Sequence, residues 1–476
     1  MKRAPIFFIV PVTFVAMLLT MATAPARAEK QTYEKSDAVT GSTVDRPKNS
    51  TRKARTAAAH TLANAGNRDG QAEARLIDIY KLIGQAKIRD ALPLAESLVR
   101  DHPNFQLAQL VYGDLLTARQ RPVRELGDVP ETAAKASAPR LQDLRRESQL
   151  RLQALRSRPA DGLIPSQFIA LSSQNKHAIA VDASNSRLYL FKNSPAGLKL
   201  VADYYISVGK LGVEKAIEGD MRTPLGVYFI TSNLNLKSLK DFYGSGALPI
   251  NYPNQLDVKR GKTGGGIWLH GTPSEQFSRA PLATDGCVVL ANPDLERIVK
   301  TVEIRTTPVV IAQSLKGVDP LTARADGKSF EEALNGWSSA KSSGDMAKLL
   351  TWYSSDFSSY GKKLADYTLD IQAELKQLGG RNLQLKDVSY MRWTDSADTM
   401  VVTFGELTQG ARSGKAKRQY WTRQAGQWKI FLKEVFGEKC FFDIAPYGCL
   451  GYFSCGCLVH HCHLCTGCAQ GTLCYQ

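Results

Sequence analysis

Apolar residues recur first at helical spacing and then at strand spacing. Between about Glu73 and Arg119, Leu76, Ile77, Ile79, Tyr80, Leu82 and Ile83 predict one helix, Leu92, Leu94, Ala95, Leu98 and Val99 a second, and Leu107, Leu110, Val111, Leu115 and Leu116 a third. Asp101-His102-Pro103-Asn104 separates the last two, because proline lacks an amide donor and disfavours helix in the residue before it. A Pro- and Ala-rich stretch near 121–139 leads to a charged helix over Leu141–Leu155. From about His177 to Ala312 the period falls to two. Ala178-Ile179-Ala180-Val181 and Leu188-Tyr189-Leu190-Phe191 flank the turn residues Asp182–Ser186 and predict a hairpin, which Tyr204–Val208 and Val227–Ile230 continue. Short strands with Gly and Pro turns predict a β-rich sandwich or barrel. Beyond Lys328, helices over Phe330–Ser343 and Met346–Phe357 precede strands around Leu383–Val388, Met400–Leu407, Arg418–Arg423 and Trp428–Leu432, an α+β order.

The 476 residues suffice for about three domains. The pattern assigns them to a helical region over 73–160, a β-rich domain over 170–314 and an α+β domain over 328–435. Residues 29–72 carry almost no large apolar side chain and predict a disordered tether. Lys2, Arg3, an apolar run from Ile6 to about Met21 and then Ala26-Arg27-Ala28 predict a cleavable signal peptide over 1–28, hence a periplasmic protein. Loss of Lys2, Arg3 and Arg27 takes the formal charge from +16 to +13. Such a surface suits anionic partners, and export directs it to the cell wall or a membrane surface rather than to nucleic acid, unless the charge serves solubility alone. Gly261-Lys262-Thr263 looks like the end of a phosphate-binding loop, but Leu256 stands where that loop needs its first glycine, and no cofactor is expected.

Cys287 is the only cysteine in the first 439 residues, and it follows His270 by 17 positions. An imidazole that takes a thiol proton leaves a stronger nucleophile, so the pair suits acyl transfer; a free cysteine is also a small hydrophobe that packs well. Ile267-Trp268-Leu269 predicts a short strand delivering His270 at its end, where Gly271 lets a substrate approach the backbone. Gly286 predicts a tight turn that aims its own amide and that of Cys287 at the oxygen of a tetrahedral intermediate. Asn292-Pro293-Asp294 predicts a capped helix start. The Gly271 carbonyl is a candidate to orient the imidazole, and Arg279 and Tyr252 are candidates to line the substrate groove. The last segment, 436–476, differs: eight cysteines and three histidines stand between Cys440 and Cys474. It reads as an aberrant or added extension, as a disulfide framework, or as metal ligands, and no metal site is assigned.

His270-Gly271, then Thr284-Asp285-Gly286-Cys287, with Arg222-Thr223-Pro224-Leu225-Gly226-Val227-Tyr228 upstream, resembles the L,D-transpeptidase catalytic domain family, the YkuD-like enzymes of the bacterial cell wall. The resemblance implies Cys287 as nucleophile and His270 as proton acceptor and donor, with Gly286, Gly271, Thr284 and Asp285 in support. Asp285 stands where the family has a second histidine, a variation similar to the YafK-like branch; by itself it is an Asp-Gly turn. The implied substrates are peptidoglycan tetrapeptide stems, whose terminal D-alanine is exchanged for an amine on another stem, for a wall-linked lipoprotein or for water. The alternatives are a hydrolase of the diaminopimelate-lipoprotein or D-alanine bond and a non-catalytic wall-binding scaffold. The α+β domain resembles the cone-shaped nuclear transport factor 2 and SnoaL-like class. The helical region is similar to tetratricopeptide units, which implies a docking surface for a protein partner or a cap on the next domain.

Overall fold

The computed structural model describes residues 70–394 and 398–440. The expected signal peptide, the tether up to residue 69 and the cysteine-rich tail beyond Cys440 lie outside the described residues. Five helices come first: α1 (Gln71–Gly84), α2 (Ile88–Asp101), α3 (Gln106–Thr117), α4 (Glu131–Ala136) and α5 (Ala138–Ser157). The His-Pro break between the second and third helices falls where the sequence puts it. Leu76, Ile79, Leu98, Phe105, Val111 and Leu115 join one apolar cluster, and Phe277 and Ala291 of the following domain belong to that cluster too. Among the described residues, no helix is long and apolar enough to cross a membrane.

The β-rich domain is built on β3 (His177–Asp182), β4 (Arg187–Ser194), β5 (Gly197–Gly209), β6 (Gly226–Phe229), β7 (Ala247–Pro249), β8 (Trp268–His270), β9 (Leu282–Thr284), β10 (Val288–Leu290) and β11 (Pro308–Ala312). It begins after two short strands, β1 (Ile164–Pro165) and β2 (Phe168–Ala170). The order across the sheet is β6-β11-β3-β4-β5-β10-β8-β7, with β9 also on β5. The long β5 therefore serves both halves. Period-two alternation sends Ile179, Val181, Leu188, Leu190, Val309 and Ile311 into one core. Their neighbours Ala178, Ala180, Tyr189, Phe191 and Val310 are buried as well, in a second core on the other face.

That second face is covered by the C-terminal domain. After the short strand β12 (Gly317–Val318), α8 (Pro320–Ser342), α9 (Met346–Leu350) and α10 (Leu364–Leu378), which follow α6 (Gln255–Lys259) and α7 (Asn292–Thr301), pack on a sheet of β13 (Tyr353–Ser359), the short edge strand β14 (Lys362–Lys363), β15 (Leu383–Thr394), β16 (Asp398–Thr408), β17 (Ser413–Gln424) and β18 (Gln427–Cys440). The sequence expectation of helix over Met346–Phe357 is corrected: helix ends at Leu350, and Tyr353–Ser359 forms a strand beside β18. One side of this sheet presents Met391, Trp393, Val401, Tyr420 and Phe431 to Phe191, Val227 and Phe229, and Arg418 lies 3.7 Å over the Phe229 ring. The junction has a further tie, because β2 adds itself antiparallel to β15 as the last strand of the C-terminal sheet. The opposite side packs Phe330, Leu334 and Trp337 of α8 against Trp421, Trp428 and Ile430. Beside it, Lys341, Lys417 and Lys433, at 3%, 1% and 0% exposure, surround Glu374 and Glu406. Lys417 reaches Glu406 at 2.5 Å and Glu374 at 3.1 Å, Lys341 reaches Glu406 at 2.7 Å, and Lys433 reaches Glu374 at 3.3 Å.

Candidate active site

Strand alternation places the two reactive side chains. Leu269 of β8 and Val288 and Leu290 of β10 point into the core, so His270, Cys287 and Val289 turn away from it. The two strands are parallel neighbours, with Val288 beside Leu269 and Val289 beside His270. Cys287 is thus delivered at the start of one strand and His270 at the end of the next. The thiol donates to the Gly266 carbonyl at 3.5 Å.

His270 is 1% exposed and is walled by the rings of Tyr243 and Phe242, at centroid distances of 5.2 and 5.9 Å. Its Nδ1 lies 2.7 Å from the Gly271 carbonyl. As a donor to that oxygen, Nδ1 holds the proton and leaves the Nε2 lone pair available to accept one. The Gly271 position itself corrects the sequence reading. A Cβ there would lie 2.0 Å from Asn292 Oδ1 and 3.0 Å from the Ser245 amide, so glycine makes room for Asn292 rather than for substrate. Asn292 does not cap its helix, whose N-cap is Ala291. Its side chain instead accepts from the Ser245 and Thr272 amides at 2.9 and 3.1 Å and donates to the Thr272 carbonyl at 2.9 Å. Asn292 is therefore the clamp of the His-Gly corner, a role that its Asn-Pro context in sequence conceals.

The turn before the thiol is held as tightly. Gly286 has φ +127°, and a Cβ there would meet the Arg222 carbonyl at 2.7 Å, so no other residue fits without strain. Thr284 Oγ1 donates to the Cys287 carbonyl at 2.7 Å and accepts from the Gly286 amide at 3.1 Å. That bond corrects the expectation for Gly286: its amide is committed to the turn and is not aimed at a substrate oxygen. Thr223 donates to the Gly286 carbonyl at 2.9 Å and accepts from the Gly209 amide at 2.9 Å, which gives the Thr-Pro segment its place in the site. Asp285 points to solvent and pairs with Lys210 at 2.9 Å, an exposed bridge of small energetic weight. Tyr252 is a core residue, 5% exposed with its hydroxyl donating to the Thr263 carbonyl at 3.1 Å. Arg279 is half-buried beside the pair and stacks 4.6 Å over the Phe242 ring. Among the described residues, no group of three or more His, Cys, Asp or Glu is placed to hold a metal ion.

The electrostatics favour neutral partners at rest. Burial, helped by the Arg279 charge and opposed by the Gly271 hydrogen bond, lowers the His270 pKa to about 4. Burial also raises the Cys287 thiol above its ordinary range, against the Trp268 amide and Arg279, which favour the thiolate. The arrangement suits proton transfer from thiol to imidazole during attack rather than a preformed ion pair. Alkylation of Cys287 by iodoacetamide should therefore still be accelerating above pH 9, where a free cysteine is mostly ionised; a plateau below pH 8 would mean a resting thiolate.

The segment between the two residues is braced from outside the β domain. Phe277 stacks on Phe105 at 4.3 Å, and its amide donates to the Asn104 carbonyl at 3.1 Å. Ser278 donates to Glu147 at 2.8 Å, and Glu147 pairs with Arg151 at 2.7 Å. Arg151 lies 4.0 Å over the Tyr205 ring, whose hydroxyl donates to the Arg279 carbonyl at 2.9 Å. Periodicity in the sequence finds these helices, but it carries no sign of what they touch.

Residues 176–311 match the L,D-transpeptidase catalytic domain, YkuD, and residues 329–434 match the Cds6 C-terminal NTF2-like domain. Both matches lie beyond the helical region, which neither family model covers. No curated protein sequence matches the chain. Among solved structures, Bd1075 of Bdellovibrio bacteriovorus is similar, with 21% identity, 59% of this chain and 100% of that one covered, and a TM-score of 0.50, a likeness of fold. Helical cell shape determining protein Pgp2 from Campylobacter jejuni has 22% identity over 56% of this chain and 95% of its own, with a TM-score of 0.47. An NTF2-like protein of unknown function from Pseudomonas putida has 14% identity over 26% and 97%, with a TM-score of 0.21. The chain thus carries a YkuD L,D-transpeptidase catalytic domain over 176–311, followed by a C-terminal NTF2-like domain over 329–434.

Proposed function

We propose that this chain is a periplasmic cysteine L,D-transpeptidase acting on peptidoglycan tetrapeptide stems, in wall cross-linking or remodelling. The observation that carries the reading is the pairing of Val289 with His270, which brings a thiol and a buried imidazole of fixed tautomer to adjacent parallel strands. In the proposed reaction the Cys287 proton passes to His270 Nε2 as sulfur bonds to the carbonyl between diaminopimelate and D-alanine. The Cys287 amide serves the developing oxyanion, since that of Gly286 is committed to Thr284. The C–N bond then breaks, D-alanine leaves with the proton returned by His270, and a thioester remains. An amine of another stem or of a wall-linked lipoprotein, or water, gives up a proton to His270, displaces the thiol and completes the exchange. A muropeptide profile that gains cross-links identifies an amine acceptor, and one that only loses D-alanine identifies water.

The deciding experiment is intact-mass measurement after incubation with a carbapenem, which resembles the D-alanyl donor. The wild-type protein should gain the mass of one drug molecule and Cys287→Ala none. A wild-type protein that gains no mass overturns the acyl-transfer reading and leaves a wall-binding scaffold.

A further inference from the structure

The helical region meets the catalytic domain through a buried network of charges as well as through apolar contacts. Glu73 of α1 accepts from Arg151 at 2.7 Å and from Arg187 of β4 at 2.8 Å, and Arg187 continues to Asp203 of β5. On α5, one oxygen of Glu147 accepts from two nitrogens of Arg151, at 2.9 and 2.7 Å, and from the Ser278 hydroxyl at 2.8 Å. Both α5 side chains are buried. Desolvating charges costs about as much as pairing them returns, so the network adds little to the docking that the stacked Phe105 and Phe277 already supply. What it adds is direction, because ionic hydrogen bonds fix geometry.

Both members of the Glu147–Arg151 pair lead to one residue. Glu147 holds Ser278, and Arg151 lies over the ring of Tyr205, whose hydroxyl donates to the Arg279 carbonyl. On the far side of Arg279 the hold passes to β5, where Ser207 donates to the Ala280 carbonyl at 2.5 Å and the Val208 amide to the Pro281 carbonyl at 2.9 Å. The Arg279 backbone is thus fixed from both directions, and its side chain rests on Phe242, one of the rings that wall His270. From there the guanidinium charge acts on His270 and on Cys287, favouring the neutral imidazole and the ionised thiol. Asp285 and Lys215 also act on the thiol, but from the turn before it and from the loop between β5 and β6.

We propose that Glu147 of the helical region is a positioning residue for acyl transfer: through Ser278, and through Arg151 and Tyr205, it holds the Arg279 backbone so that the guanidinium stands beside the sulfur as it gives up its proton. The inference rests on the acyl-transfer reading and makes the helical region part of the frame of the reactive pair. The test measures, in the full chain, the rate of Cys287 alkylation by iodoacetamide as a function of pH and the rate of carbapenem uptake. Below the pKa of the thiol, alkylation follows the thiolate fraction, which changes about tenfold for each unit of pKa. Glu147→Ala should therefore alkylate about 3- to 10-fold more slowly than wild type near pH 8, with the gap closing as pH rises, and its carbapenem uptake should slow as well. Arg279→Gln should show the same loss. In an Arg279→Gln background Glu147→Ala should add nothing further, since the two act along one path. Tyr205→Phe removes a hydroxyl and leaves the buried charges in place; it should give a smaller loss of the same kind, and it carries the test if Glu147→Ala does not fold. If the wild-type protein takes the carbapenem while Glu147→Ala and Tyr205→Phe alkylate at its rate near pH 8, the positioning role is overturned. A loss as large without Arg279 as with it overturns that role too. A wild-type protein that takes iodoacetamide but no carbapenem overturns the acyl-transfer reading, and with it the place of Glu147 in that reaction.

Discussion

Replacing His270 with asparagine is expected to slow acylation of Cys287 by about 10²- to 10⁴-fold, the range for loss of a positioned base. The asparagine amide can keep a bond to the Gly271 carbonyl but has no basic lone pair to offer the thiol. Acylation within about threefold of wild type would remove His270 from the proposed reaction. The same variant has a second signature, in stability. In the unfolded chain the imidazole takes a proton near pH 6.5, whereas in the folded protein it does so only near 4. Between those values the unfolded state binds more protons, so the wild-type fold loses stability as pH falls from 6.5 to 4, by about 3 kcal/mol from this residue. The asparagine variant lacks that component, and the gap between its melting temperature and that of wild type should shift in its favour on going from pH 7 to pH 4.5.

Glu374→Gln is expected to destabilise the C-terminal domain by about 3 to 5 kcal/mol, the cost of breaking a buried ionic cluster by removing one partner. Among the described residues, the carboxylates that pair with Lys341, Lys417 and Lys433 are Glu374 and Glu406 alone. Burial, with Lys341 and Lys433 adding repulsion, already lowers the Lys417 pKa. With Glu374 neutral, three buried amines face one carboxylate, and the least costly response is loss of further protons from the lysines. Thermal melting of wild type and variant at pH 7 measures the effect, and a shift of less than about 2 °C would mean that solvent reaches this cluster freely.

The reactive residues were legible because their signals are local. Leu269, Val288 and Leu290 read as buried strand positions, and alternation then turns His270 and Cys287 from the core. The Gly271 carbonyl is a covalent neighbour of His270, so its bond to the ring is within reach of sequence reasoning. What escaped depends on partners far along the chain. Asn292 reads as a cap because Pro293 follows it, yet its bonds go to Ser245 and Thr272. Tyr353–Ser359 has no strand signal of its own and becomes a strand beside β18, more than 70 residues later. The helix Leu364–Leu378 was not anticipated, and Tyr252, read as a groove residue, is held in the core through Thr263.

The strand β2 precedes the catalytic domain in the chain but completes the sheet of the domain that follows it. A cut between Ala312 and Pro320 therefore severs one connection in sequence and two in space. The released N-terminal piece would carry Phe191, Val227, Phe229 and Val310 into water as an apolar sheet face, and the C-terminal piece would expose β15 as a bare edge open to pairing with other chains. Exchange of parts among related proteins should then move the two domains together with β2, so the unit that is inherited is larger than either domain.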